Sequence, residues 1–84
     1  MTSSEIAAAV AALVAESFEL PPERVTPAAR LREDLQLDSL DGVDLVVGIE
    51  KRFAIRVDDD AADRMRTVGE VSAYVEAALA SKAS

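Results

Sequence analysis

All three prolines of this chain, Pro21, Pro22 and Pro27, fall between positions 21 and 27 of its 84 residues. Proline removes a backbone donor and clashes with the preceding turn, so no continuous helix passes through that window. Upstream, Ser3 to Glu16 is rich in Ala, Leu and Glu, and Ile6, Val10 and Leu13 repeat at helical spacing. Thr2-Ser3-Ser4-Glu5 has the form of a capping box, which fixes the start of a first helix. From Leu20 to Asp38 the chain reads as a long connection with at most short turns, pegged to the core by Val25, Leu31, Leu35 and Leu37. A connection of that length in so small a domain is usually functional.

Past the connection, Asp38 can accept backbone amides as a cap and Asp41 stands three residues on, so a second helix starts at or beside Ser39 and runs to about Arg52. On a helical wheel Val46, Ile49 and Phe53 form one stripe flanked by Val43 and Leu45, with Asp41, Asp44, Gly48 and Lys51 opposite. Ala54 to Val57 is a short extended segment. Asp58, Asp59 and Asp60 place negative charge at the positive end of a short third helix over about Asp60 to Met65. Thr67-Val68-Gly69-Glu70 is another capping box. It opens a fourth helix with Val68, Val71, Val75 and Leu79 on one stripe, running to about Ala80 and leaving 81–84 frayed. The expected fold is all-α: a small four-helix bundle of three longer helices and a short third, with a long first loop, in a single domain over 1–84.

Size and composition bound what such a bundle can do. A chain this small buries only about 60% of the surface its unfolded form exposes, and its net stability should be roughly 4 to 12 kcal/mol. Half its residues are apolar and 30% charged, far from the composition of disordered chains. There is no cysteine, hence no disulfide and no thiolate, and no histidine, the commonest metal ligand. Metal-dependent, cysteine-dependent and histidine-based catalysis are not expected. The net charge of −7 disfavours nucleic acid and anionic membrane surfaces and favours basic partners. No stretch resembles a signal peptide or a membrane span, so a monomeric cytoplasmic protein is the expectation.

Taken alone, Ser39 is a first-turn serine beside an Asp cap. Asp38 and Asp41 could be read as a carboxylate pair, but both stand on an exposed helix start, which argues against acid/base catalysis. The run Asp58 to Asp60 lacks the spacing of a calcium loop. Gly42 and Gly48 lie inside the second helix, each costing roughly 0.5 to 1 kcal/mol relative to Ala.

The segment Leu31 to Phe53, LREDLQLDSLDGVDLVVGIEKRF, is more specific than its parts. With its Asp38-Ser39-Leu40 at a helix start, its upstream Asp34-Leu35 and its downstream apolar spacing, it resembles the acyl carrier proteins of fatty-acid and polyketide synthesis. The pattern continues through Ile55, Val57, the acidic Asp58 to Asp60, Met65 and Thr67-Val68, and covers residues 5 to 80. The resemblance implies that Ser39 bears 4′-phosphopantetheine, delivered from coenzyme A by a phosphopantetheinyl transferase, and that acyl groups ride on it as thioesters without catalysis by the carrier. That fits a chain with no cysteine, which can carry thioesters only on a borrowed thiol. It implies further that Asp38, Leu40, Asp41, Asp44, Val47, Glu50, Asp59, Asp60 and Asp63 form the face met by acyltransferase, ketosynthase and other acyl-processing enzymes with basic docking patches. It also implies an acyl pocket of Leu31, Val43, Ile49, Val57, Ala62 and Met65. For the docking residues an ordinary solvated acidic face is the alternative; for the pocket residues, a plain core.

Three features depart from the common fatty-acid carrier pattern. Lys51 and Arg52 stand where it is usually acidic, the two glycines interrupt the second helix, and Leu37 replaces the Gly-Gly-x-Ser context of peptidyl carriers. An acyl cargo is therefore favoured over an aminoacyl one. A carrier dedicated to one specialised pathway, such as a polyketide, an aryl polyene or an unusual lipid, is the nearest rival. An unmodified helical protein-binding adaptor is a more distant one, and a small hydrolase more distant still.

Overall fold

In the computed structural model, which describes residues 1–83, the first helix α1 spans Ser3–Ser17. Its cap is the reciprocal one the sequence predicts: the Glu5 amide donates to Thr2 Oγ1 at 3.1 Å and the Thr2 amide to Glu5 Oε1 at 2.7 Å. The Thr2 amide, and after it the Thr2 hydroxyl, hold the Glu5 carboxyl below the usual carboxylate range. α2 spans Ser39–Phe53, α3 Asp59–Arg64 and α4 Val68–Ala83. One 3-10 turn, Pro22–Arg24, interrupts the long first connection. The only extended pairing among the described residues is an isolated antiparallel bridge between Arg30 and Thr67. The architecture is thus the expected all-α bundle with a short third helix.

Val10 and Val14 of α1, Ile49 of α2, and Val71 and Val75 of α4 are fully enclosed, each worth about 1.5 to 3 kcal/mol of burial. The connection adds Val25, Ala29, Leu35 and Leu37 to this core, while Leu31 is half-buried against it. Two expectations from the helical wheel are corrected. On α1 Val14, not Leu13, joins Ile6 and Val10 in the core, and Leu13 packs at the edge. There it meets Gly48, where a Cβ would stand 3.7 Å from the Leu13 side chain. Gly48 therefore faces α1, not open solvent.

The connection is stitched to the start of α4. The Leu31 amide donates to the Arg66 carbonyl at 2.8 Å, the Val68 amide to the Ala29 carbonyl at 3.0 Å, and the Gly69 amide to the Pro27 carbonyl at 2.9 Å. At Gly69 this approach leaves no room for a side chain, since a Cβ would lie 2.9 Å from the Pro27 oxygen. Arg30 closes the loop from the other side. Its Nε and Nη2 each donate to the Asp34 carboxylate at 3.1 Å, and its amide donates to Asp34 Oδ2 at 2.8 Å. These contacts lower the Asp34 pKa and raise that of Arg30. Gln36 takes a left-handed conformation, φ 58°, and so lets both neighbours, Leu35 and Leu37, turn inward.

α2 ends at Ala54, also left-handed at φ 55° and ψ 47°. That conformation is disfavoured for a residue with a Cβ, and the surrounding bonds hold it. Lys82 Nζ donates to the Ala54 carbonyl at 2.8 Å, the Tyr74 hydroxyl to the Arg56 carbonyl at 2.7 Å, and the Val57 amide to Glu50 Oε2 at 2.9 Å. The Lys82 contact accompanies a longer α4 than expected: the helix continues past Ala80 through Ala83, and the expected fraying of 81–83 is not seen. Ser84 lies outside the described residues.

Candidate functional site

Asp38 caps α2 and Ser39 is its first helical residue. Asp38 Oδ1 accepts the Asp41 amide at 2.9 Å and Asp41 Oδ2 accepts the Asp38 amide at 3.1 Å. The two carboxylates that might have suggested acid/base work are thus each other's helix cap. The Gly42 amide bonds the Asp38 carbonyl at 3.0 Å, whereas the Ser39 and Leu40 amides have no partner among the described residues. An exposed hydroxyl therefore stands beside two free donors at the positive end of a helix, a setting that suits an attached phosphate.

Ser39 also lies on the rim of a groove of 890 Å³ between α2, α3 and the first connection. Five of the six expected pocket residues, Leu31, Val43, Val57, Ala62 and Met65, line it. Ile49 does not: it is fully buried in the core it shares with residues of α1 and α4. Val43, expected as a flank of the core, is 61% exposed, because it lines the groove and nothing packs over it. Gly42 lines the groove as well, with open space where a Cβ would stand.

Apart from Asp38 and Asp41, which cap the helix, the expected docking residues separate into three groups. Leu40 and Val47, 75% and 42% exposed, stand as apolar points with exposed Asp44 on α2, and Val47 also lines the groove. Asp59 and Asp63 face the groove from α3, with Asp60 exposed beside them. Glu50 differs from both, since its carboxylate is half-buried and committed to the Val57 amide. Three groove residues escaped the sequence reading, Arg32, Glu33 and Arg66. Each adjoins a residue that was singled out, Leu31, Asp34 and Met65 respectively, and that adjacency is the signal that could have flagged them.

Residues 8–75 match the family model described as a phosphopantetheine attachment site. The chain is 39% identical over 75 residues to the acyl carrier protein of Thermosynechococcus vestitus, covering 89% of this chain and 93% of that one. It is 43% identical over 68 residues to the acyl carrier protein of Helicobacter hepaticus, covering 81% and 90% respectively. With acyl carrier protein 2 of Ralstonia nicotianae it shares 39% identity over 80 residues, covering 95% of this chain and 99% of the relative.

Proposed function

The chain belongs to the acyl carrier proteins, which bear phosphopantetheine and carry acyl groups without catalysing their turnover, and from that premise we propose that Ser39 is its attachment residue. The observation that supports this most is position. Residues 8–75 contain three serines, Ser17, Ser39 and Ser72. Ser17 ends α1, and the Ser72 hydroxyl is spent on the Val68 carbonyl at 3.2 Å. Ser39 alone combines an exposed hydroxyl, a helix start with free amides and the rim of a groove.

Joined to Ser39 by a phosphodiester, phosphopantetheine supplies the thiol that this cysteine-free chain lacks. The protein's own residues do the rest. The Ser39 and Leu40 amides and the α2 dipole accommodate the phosphate. Leu31, Val43, Val57, Ala62 and Met65 offer an apolar lining that shields an acyl chain from water at about 0.8 kcal/mol per buried CH₂. Leu40, Asp44 and Val47, with Asp59, Asp60 and Asp63, present an acidic face with apolar points to the basic surfaces of a phosphopantetheinyl transferase, an acyltransferase, a ketosynthase and similar enzymes. The cargo is an acyl intermediate of fatty-acid or polyketide-type synthesis.

A carrier dedicated to one specialised pathway is the second reading, and Lys51 and Arg52 favour it. Both are exposed at the end of α2, where they alter the charge a partner meets. The attachment proposal is tested by intact mass after incubation with coenzyme A and a transferase. A gain of one phosphopantetheine is expected, and Ser39→Ala abolishes it; a gain that survives the substitution overturns the assignment.

A further inference from the structure

Two of the nine basic residues, Arg32 and Arg66, line the groove that Ser39 rims. Backbone hydrogen bonds set their position. The Arg66 carbonyl accepts the Leu31 amide at 2.8 Å, and the Leu31 carbonyl accepts the Leu37 amide at 3.0 Å. Leu37 directly precedes Asp38, the cap of α2. Arg66, Leu31 with Arg32, and Leu37 leading to Ser39 therefore form one continuous hydrogen-bonded wall.

Other arginines near this loop are already engaged. Arg24 Nη2 donates to the Asp34 carbonyl at 2.6 Å and Arg30 pairs with Asp34. By contrast, neither the Arg32 nor the Arg66 guanidinium has a hydrogen bond or a carboxylate within 4 Å among the described residues. Of the carboxylates lining the groove, Asp38 is committed to the α2 cap and Glu33 to Arg30 at 3.6 Å. Asp59 and Asp63 stand on the α3 side. An anion entering the groove is repelled from α3 and drawn to the arginine wall, where planar donor groups match its oxygens. Both arginines are exposed, so their donors are free to meet an anion at the groove, beside the half-buried apolar Leu31 and Met65.

We infer that Arg32 and Arg66 recognise an oxyanion carried on the prosthetic arm. This rests on Ser39 as the attachment residue. Two groups on a loaded arm have that chemistry: the phosphodiester at its base, and a carboxylate at the far end of a dicarboxylic acyl cargo.

The test compares ¹⁵N-labelled protein in four forms: apo, holo, octanoyl and the eight-carbon dicarboxylic acyl form. Intact mass confirms each loading, and the readout is the Nε–Hε signals of Arg32 and Arg66, assigned by their loss in Arg32→Lys and Arg66→Lys. A shift from apo to holo identifies the phosphodiester. A shift seen with the dicarboxylic cargo but not with octanoyl identifies the distal carboxylate. In either case the stabilisation given by the anion-bearing form over its neutral counterpart is lost in the double variant Arg32→Gln, Arg66→Gln, whose apo melting temperature stays at the wild-type value. Absence of loading removes the attachment reading and this inference with it. Confirmed loading with guanidinium signals unmoved from apo to holo and either unmoved or equally shifted by octanoyl and dicarboxylic cargo overturns this inference alone.

Discussion

The carboxylate of Glu50 on α2 accepts the backbone amide of Val57 at 2.9 Å, across the turn that leads into α3. The last turn of α2 thereby holds a groove wall in place, since Val57 lines the groove. A residue expected only to meet partners is part of the scaffold.

Glu50→Ala leaves the half-buried Val57 amide without its acceptor, at a cost of about 1 to 3 kcal/mol. In a domain of this size that lowers the melting temperature by roughly 4 to 8 °C per kcal/mol. Glu50→Gln keeps an acceptor and should lose clearly less. Equal losses in the two variants, read by thermal denaturation, would show that the amide contact contributes nothing.

Ile49 and Val43 are separable in the same way. Ile49→Ala opens a cavity in the core and costs about 2 to 5 kcal/mol in the apo protein, whatever the cargo. Val43→Ala changes apo stability by about 0.5 kcal/mol or less, because the side chain is mostly exposed, yet it reduces the melting gain on octanoyl loading. An unaltered octanoyl gain in Val43→Ala would remove Val43 from the cargo lining.

The Asp34 carboxyl is held low by Arg30, so protonation favours the unfolded chain. Its contribution to stability is fully present above its ordinary value of 3.8 and is lost as pH falls through the lower folded value. The stability difference between wild type and Asp34→Asn should be constant near neutrality and shrink below about pH 4. Denaturant melts across that range check it; a difference that persists undiminished in acid contradicts the pairing.

Exposed charges steer encounter and penalise like-charge contact, so Lys51 and Arg52 should discriminate among partner enzymes. Lys51→Glu with Arg52→Glu is expected to raise kcat/KM with a fatty-acid synthase enzyme that has a basic docking patch, and to lower it with the cognate enzyme. Both effects weaken as salt rises. Changes of the same sign and size for both enzymes would reduce the pair to an ordinary solvated helix end.

Much of this was legible beforehand because it is local. Capping boxes at Thr2/Glu5, Asp38/Asp41 and Thr67/Glu70 state helix starts within a few residues of chain, and the structure makes each of them. What the helical wheel could not supply was which neighbour covers each face. Val43 and Ile49 are both apolar, but the space over Val43 is the groove while Ile49 is enclosed in the core. Gly48 carries no pattern signal, yet it meets Leu13 of a distant segment. The extra turn of α4 accompanies a bond between residues 82 and 54, a tertiary contact with no local trace.

The central claim, that the prosthetic group sits on Ser39, has a direct measurement. Trypsin cleavage after Arg32 and Lys51 releases Glu33–Lys51, a peptide in which Ser39 is the sole hydroxyl-bearing side chain. Mass spectrometry of the digest from protein incubated with coenzyme A and a phosphopantetheinyl transferase should find the entire phosphopantetheine increment on that peptide. An increment on any other peptide, with Glu33–Lys51 unmodified, would contradict the account.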